Sequence, residues 1–350
     1  MKKICVIGTV GFGEETSSGQ IIRTRILVDS LREKYGASNI YLINTSNYKK
    51  RAFAIIRKTI SSLWNCNVYI VILSGNGRKV FFPILCIFKK FFGKIILNNI
   101  IGGDYANSIK RNLKYIKWSN TFDVNWVQMA SMKREIEKLG IKNVEVLPNS
   151  KPLHIVKKNN ENISNDGIFH FCTFSRVSKQ KGIEIAIDTI ETINKENGSI
   201  IADLTIYGKP DDEYQSIFEK KMQSVTEAIH YGGIIEYNKA TEILSKYYCL
   251  LFPTTFYGEG FPGTILDAYA SGLPVIASDW KYNSELIKTG ETGYLYNYKD
   301  PNELKKRVME AITKSEEVMR MRENCVKEAE KYVPENVMPI IFDKINQKNK

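Results

Sequence analysis

Long apolar runs are missing from this 350-residue chain. The longest, Val80 to Phe88, has nine residues, about half of the ~20 that a membrane-crossing helix needs. At the N-terminus, MKKICVIGTV has a lysine pair and a short apolar stretch, then meets Gly11, Glu14 and Glu15. A secretion signal needs a longer apolar core and a small-residue cleavage site, so this segment reads as a buried first strand. The chain is expected neither to span a membrane nor to be secreted by that route. Histidine is scarce, with three in all, and the six cysteines are scattered without a Cys-x-x-Cys pair. The cysteine spacing argues against a zinc site, a catalytic thiol or a disulfide scaffold, and predicts a reduced, cytosolic chain. Repeats and low-complexity tracts are also absent. What remains is ordinary globular composition, 43% hydrophobic and 25% charged, in a chain long enough for about two domains.

The net charge of +12 is unevenly placed: residues 1–150 carry 24 Lys and Arg against 9 Asp and Glu, and residues 151–350 carry 26 against 29. A basic half beside a near-neutral one suits a polyanionic partner: acidic lipid, nucleic acid or a phosphate-bearing substrate. Clusters such as Lys49-Lys50-Arg51, Arg57-Lys58 and Lys89-Lys90 alternate with apolar residues. They fit an amphipathic helix on an anionic membrane, and equally the solvated faces of ordinary helices.

Strand and helix patterns alternate. Strands are expected at 3–8, 39–44, 68–73, 94–99, 123–128 and 143–149, with helices at 19–35, 50–64, 80–92 and 131–139 between them. A polar stretch, 151–167, reads as a linker. The alternation then resumes with strands at 168–174, 202–208, 229–231, 249–254 and 274–278. Helices are expected at 181–194, 212–224, 239–246, 263–271 and from 302 onward. This rhythm predicts an α/β chain of two Rossmann-like, doubly wound parallel-sheet domains, residues 1–160 and 161–333, with a terminal helix after Pro334. Ligands of such domains bind beyond the carboxyl ends of the strands, which places the expected site in a cleft between the two.

Three strand-to-helix loops stand out. Gly8 to Gly13, then Ser17-Ser18-Gly19-Gln20, would let a phosphate approach the backbone at a helix start, although an ordinary strand–helix turn explains it as well. In Phe174-Ser175-Arg176-Val-Ser-Lys-Gln-Lys181-Gly182, Arg176 and Lys181 fit either a diphosphate clamp or a solvated basic turn. The third runs Phe252-Pro-Thr-Thr-Phe-Tyr-Gly-Glu259-Gly-Phe261-Pro-Gly263-Thr264-Ile-Leu-Asp267. Its carboxylates, eight residues apart, can accept hydrogen bonds from sugar hydroxyls, and the N–H groups of Gly263 and Thr264 can hold phosphate oxygens.

This third segment resembles the Glu-x7-Glu signature of retaining glycosyltransferases of family 4, the group 1 glycosyltransferases of the GT-B fold. Arg176 and Lys181 match that family's diphosphate-contacting pair, and Ser18-Gly19-Gln20 resembles its N-terminal glycine loop. Tyr207-Gly208, Tyr231-Gly232 and LGIKNVEVLPN extend the likeness over nearly the whole chain. The helix after Pro334 resembles the one that crosses back onto the first domain. The resemblance implies sugar transfer from a nucleotide donor, UDP by default, with retained configuration and without a metal or other cofactor. Glu259 would be the catalytic carboxylate. Phe261 and Asp267 would meet the donor's sugar and ribose, while Gly19, Arg176, Lys181, Gly263 and Thr264 would hold its diphosphate.

Three departures stand beside the likeness. Asp267 is one methylene shorter than the family's glutamate, and Pro262 replaces a common glycine. All three histidines (His154, His170, His230) follow residue 150, so the N-terminal histidine of many members has no counterpart. The corresponding loop holds Gly103 and Asp104, either an acceptor-side contact or a surface aspartate at a strand end. His170 reads as a satisfied residue of its strand. The basic first domain favours a lipid-linked glycan acceptor at the cytoplasmic face of an anionic membrane, in envelope or capsular polysaccharide assembly. Nucleic acid is not expected, for no reader motif is present. The alternative is a catalytically silent subunit that binds a nucleotide sugar.

Overall fold

The computed structural model describes residues 3–11, 19–156, 167–236 and 239–349. The chain divides into two compact units, Met1–Pro152 with Tyr332–Lys350, and Leu153–Lys331. The expected boundary at 160/161, and Ser17 and Ser18 of the first glycine loop, lie outside the described residues.

The first unit is built on β1 (Lys3–Gly8), β2 (Ile40–Asn44), β3 (Cys66–Ile72), β4 (Ile95–Asn99), β5 (Val124–Val127) and β6 (Val144–Val146). They form one parallel sheet in the order β2-β1-β3-β4-β5-β6. The central strands β1 and β3 are continuous apolar runs because helices cover both of their faces. On one face lies α1 (Gly19–Tyr35) beside α14 (Pro334–Asn349), where the Tyr35 and Phe342 rings meet edge to face at 5.8 Å. Val337, Met338, Ile341 and Ile345 of α14 enter the core of this sheet, each burial contributing roughly 1.5–3 kcal/mol. On the other face lie α2 (Tyr48–Asn65) and α3 (Gly75–Phe92), joined through Tyr69 of β3, which hydrogen-bonds Ser62 and meets the Phe88 ring edge to face.

Several basic side chains are buried in this unit, among them Arg23, Arg78 and Lys94. Arg23 of α1 donates to Asn149 and Asn99 and to the carbonyls of Leu147 and Pro148, tying the helix to the ends of β4 and β6. Burial pulls its guanidinium down to about 9, still above neutrality, so it remains a cation held by neutral oxygens.

The second unit contains β7 (Phe169–Phe174), β8 (Ala202–Tyr207), β9 (Ile229–Gly233), β10 (Cys249–Phe252), β11 (Val275–Ser278) and β12 (Gly293–Tyr296). Its parallel sheet has the order β12-β11-β10-β7-β8-β9, so the winding direction reverses between β7 and β10. That switch point is where doubly wound sheets open a crevice for ligands. Among the flanking helices are α7 (Ile183–Asn197), α8 (Gln215–Met222), α9 (Ala240–Leu244), α10 (Gly263–Ala270), α12 (Glu303–Thr313) and α13 (Ser315–Glu330).

Several short elements have no counterpart in the periodicity: α4 (Tyr105–Arg111), α5 (Lys114–Ser119), α11 (Asn283–Leu286) and β12. Each is shorter than the 11–18 residues over which a repeat declares itself. All six cysteines are unpaired; five are buried and Cys86 is half-buried.

Candidate active site

The site assembles at the carboxyl ends of β7, β8, β10 and β11. After β7 the chain passes Ser175 and Arg176, and Val177 forms an isolated bridge to Pro210 in the loop after β8. Gly208 makes this approach possible. Its φ is 137°, and a Cβ there would stand 1.7 Å from the Ser175 carbonyl oxygen. The chain then makes a short 3-10 turn, Lys179–Lys181, and enters α7 through Gly182. At Gly182 φ is 71°, and a Cβ would lie 2.2 Å from the Pro253 oxygen, so the loops after β7 and β10 pack backbone to backbone. Thr255 N–H seals them by donating to the Gln180 carbonyl at 2.8 Å.

This packing brings Lys181 and Glu259, 78 residues apart in sequence, into contact at 2.6 Å. Each side chain is about 10% exposed. Thr254 Oγ1 donates to the same carboxylate oxygen, Oε2, at 3.1 Å. Aromatic rings complete the seat: Lys181 Nζ lies 5.5 Å from the Phe252 ring centre and 5.1 Å from that of Phe256. The Arg176 guanidinium lies 5.5 Å from the same Phe256 ring. Both cations therefore gather around one aromatic ring, a favourable arrangement for partly desolvated positive charge. Phe256 is itself fixed, since its N–H donates to Thr254 Oγ1 and its carbonyl accepts from Trp280 Nε1.

Arg176 is the more exposed of the two cations. Its side chain is 56% exposed and pairs with Asp211 at 3.3 Å, an ion pair that solvent screens. A polyanion arriving at the loop has a cation there that gives up little by changing partners.

Glu259 stands in the turn before α10, its N–H bonded to the Phe256 carbonyl. Phe261 is buried, and Pro262 caps α10 with extended backbone. Gly263 and Thr264 open the helix, and Thr264 Oγ1 donates to the Phe174 carbonyl at 2.8 Å, pinning the helix start to the end of β7. Asp267 is buried in the second turn of α10. The loops of the second unit thus bring Arg176, Lys181, Glu259 and Thr264 to one edge of its sheet.

Gly19, Gly103 and Asp104 belong to the first unit. Gly19 begins α1, and a Cβ there would meet open space. Asp104 lies between β4 and α4 and pairs with Arg111 at 2.6 Å on the surface. His170 pairs through Nδ1 with Asp203 at 2.6 Å near the amino end of β7, far along the strand from the loops described above.

Sequence reasoning had not singled out Thr254, Phe252, Phe256 or Asp211. For the first three the sequence holds a signal, a strand end followed by Pro-Thr-Thr-Phe just upstream of Glu259. Asp211, on the loop after β8, left no pattern. Among the described residues, no group of three or more His, Cys, Asp and Glu side chains is placed to hold a metal ion.

Residues 168–314, within the second unit, match the sequence model of the Glycosyl transferases group 1 family. An uncharacterized glycosyltransferase of Methanocaldococcus jannaschii is 28% identical over 167 residues, 47% of this chain and 45% of that protein. The match thus spans less than half of the relative's length. Among solved structures, HepE of Anabaena, in complex with UDP and glucose, superposes with a TM-score of 0.74 at 13% identity, over 99% of this chain and all of that one. The lipopolysaccharide outer core galactosyltransferase WaaB, in its apo form, gives 0.71 at 17% identity over 99% of each chain. These likenesses define the fold as GT-B, with two six-stranded parallel sheets flanked by helices.

Proposed function

We propose that the chain is a retaining glycosyltransferase that moves a sugar from a UDP-linked donor to a lipid-linked glycan acceptor in envelope or capsular polysaccharide assembly. The observation that carries this reading is the Lys181–Glu259 pair, buttressed by Thr254 and Phe256, with Arg176 beside it at the sheet's switch point. A leaving nucleoside diphosphate gains negative charge as its bond to the sugar breaks. Lys181, Arg176 and the N–H groups at the start of α10 supply fixed positive potential where that charge develops. Cations of this kind do the work that a divalent metal does in other transferases, so no metal is required.

The sugar's C1–oxygen bond to the diphosphate breaks, and the acceptor oxygen forms the new bond on the same face. The acceptor proton leaves on the diphosphate. Glu259, with its charge shared by Lys181, supports the positive charge that builds on the sugar ring. The matching segment of the group 1 family supports sugar transfer, and the complex of HepE with UDP and glucose supports a UDP donor. The basic first half supports an acceptor at an anionic membrane face.

The deciding experiment is a thermal-shift screen against UDP, GDP and ADP sugars, followed by donor hydrolysis and assignment of the product anomer by NMR. A UDP sugar should raise the melting temperature, because it binds only the native state. Glu259→Gln should lower turnover far more than donor affinity. Equal turnover at saturating donor would remove Glu259 from the chemistry. Binding without hydrolysis or transfer would leave a nucleotide-sugar-binding subunit.

A further inference from the structure

We propose that the outer faces of α2 and α3 form the surface by which the first unit docks onto an anionic lipid bilayer. This deepens the membrane-side reading given above and rests on it, by naming the residues that meet the lipid.

The polarity of α2 is reversed. Its buried residues are Thr59 and Ser62, whose hydroxyls are satisfied by the Ile55 and Thr59 carbonyls and by Tyr69. Four of its large apolar residues are exposed, while Ile55 and Leu63 are half-buried: Phe53, Ile56, Ile60 and Trp64 follow one another at three- and four-residue spacing, a single stripe along the helix. Phe53 is 81% exposed and Trp64 69%. Beside it, α3 buries Phe81, Phe82, Leu85 and Phe88, yet exposes Val80, Ile87 and Phe91, again one stripe, with Phe91 78% exposed. Because Tyr69 touches both helices, the two stripes lie on the same face of the first sheet. Exposed apolar stripes on two helices of one face mark an interaction site rather than solvated helices.

Charge selects the occupant. α2 carries five basic residues and α3 four, with no acidic residue in either. Lys49, Lys50, Arg57, Lys79 and Lys90 are exposed around the stripes. A second copy of the chain, meeting this face with its own, would set these like charges against each other. Nucleic acid would satisfy the lysines but leave Phe53, Trp64 and Phe91 in water. An anionic bilayer satisfies both, with phosphates at the headgroup level for the cations and acyl chains just beneath for the rings.

The test is co-sedimentation of the full chain with phosphatidylglycerol-containing and pure phosphatidylcholine vesicles, at low and high salt. Wild type should bind the anionic vesicles and keep part of that binding in high salt, since rings in the bilayer are not screened. Phe53→Ser with Trp64→Ser should lower the vesicle partition coefficient at least about tenfold at either salt. Replacing Lys49, Lys50, Arg57 and Lys58 by Gln should remove only the salt-sensitive part. The UDP-induced rise in melting temperature should be unchanged in both variants, which shows that they fold and that the donor site is separate. Wild type that ignores anionic vesicles at low salt overturns the membrane reading and this surface together. Wild type that binds, with the Phe53/Trp64 variant binding equally, overturns the surface and leaves the reading. A wild-type dimer made monomeric by that variant, with vesicles ignored, assigns the face to self-association.

Discussion

Replacing Lys181 by Met tests the heart of the site without any knowledge of substrate. The Lys181–Glu259 contact is 2.6 Å and each side chain is only about 10% exposed, so solvent cannot compensate the survivor. Lys181→Met keeps the volume but leaves the Glu259 carboxylate with Thr254 as its remaining donor. Stranding one member of a buried pair costs about 3–5 kcal/mol. For a unit of this size, 1 kcal/mol shifts the melting temperature by about 2–4 °C, so the drop should be roughly 6–20 °C. Removing both charges, in Lys181→Met with Glu259→Leu, should cost less than Lys181→Met alone, because no unpaired charge is left behind. The assay is calorimetry on the full chain, following the transition of the second unit if the two units melt separately. Losses in the double variant equal to the sum of the single losses would show that the two groups do not sense each other, and the reasoning would fail.

Three further outcomes are expected. Arg176→Ala should change stability by no more than about 0.5 kcal/mol, since its pair with Asp211 is exposed; it should weaken UDP binding about tenfold or more in calorimetric titration, and unchanged affinity would free the diphosphate of this contact. Gly208→Ala should lower the melting temperature sharply, since its Cβ would meet the Ser175 oxygen at 1.7 Å; a shift within about 1 °C would show that the loop yields at little cost. Transfer activity should persist in EDTA, and its abolition with rescue by Mg²⁺ or Mn²⁺ would count against a diphosphate held by Arg176 and Lys181.

The order of strands and helices was legible because each long element carries its own signal. The buried runs of β1, β3 and β10 announce parallel strands, and α1 ends at Tyr35, where the pattern stops before Gly36. What periodicity could not show is which loops touch. Lys181 and Glu259 are 78 residues apart; their meeting depends on the winding that sets β10 beside β7 and on glycines at 182 and 208 that admit a neighbouring backbone. Sequence gives those glycines, but their φ values and their neighbours arise only from the sheet. The same holds for Arg23, an ordinary helical arginine by pattern, which the sheet ends bury among neutral oxygens.

The apolar residues of helix 80–92 fit a lipid-facing helix and a buried one equally in the sequence, and four of them, Phe81, Phe82, Leu85 and Phe88, belong to the core. The sharper signal lay in α2, and its reading turns on where the charges stand relative to the stripe. In a helix that packs its apolar face inward, basic residues take the opposite side, where water reaches them. In α2, Lys49 and Lys50 precede Phe53 by four and three residues, and Arg57 follows Phe53 by four and precedes Ile60 by three. That spacing puts them on the stripe's own side. The side left for the sheet buries Thr59 and Ser62, flanked by half-buried Ile55 and Leu63; the two hydroxyl residues are small enough for close approach and satisfy their hydroxyls against the helix and Tyr69. A helix whose cations and aromatic rings share one face has its apolar surface turned outward, because burying the rings in the core would bury the charges with them.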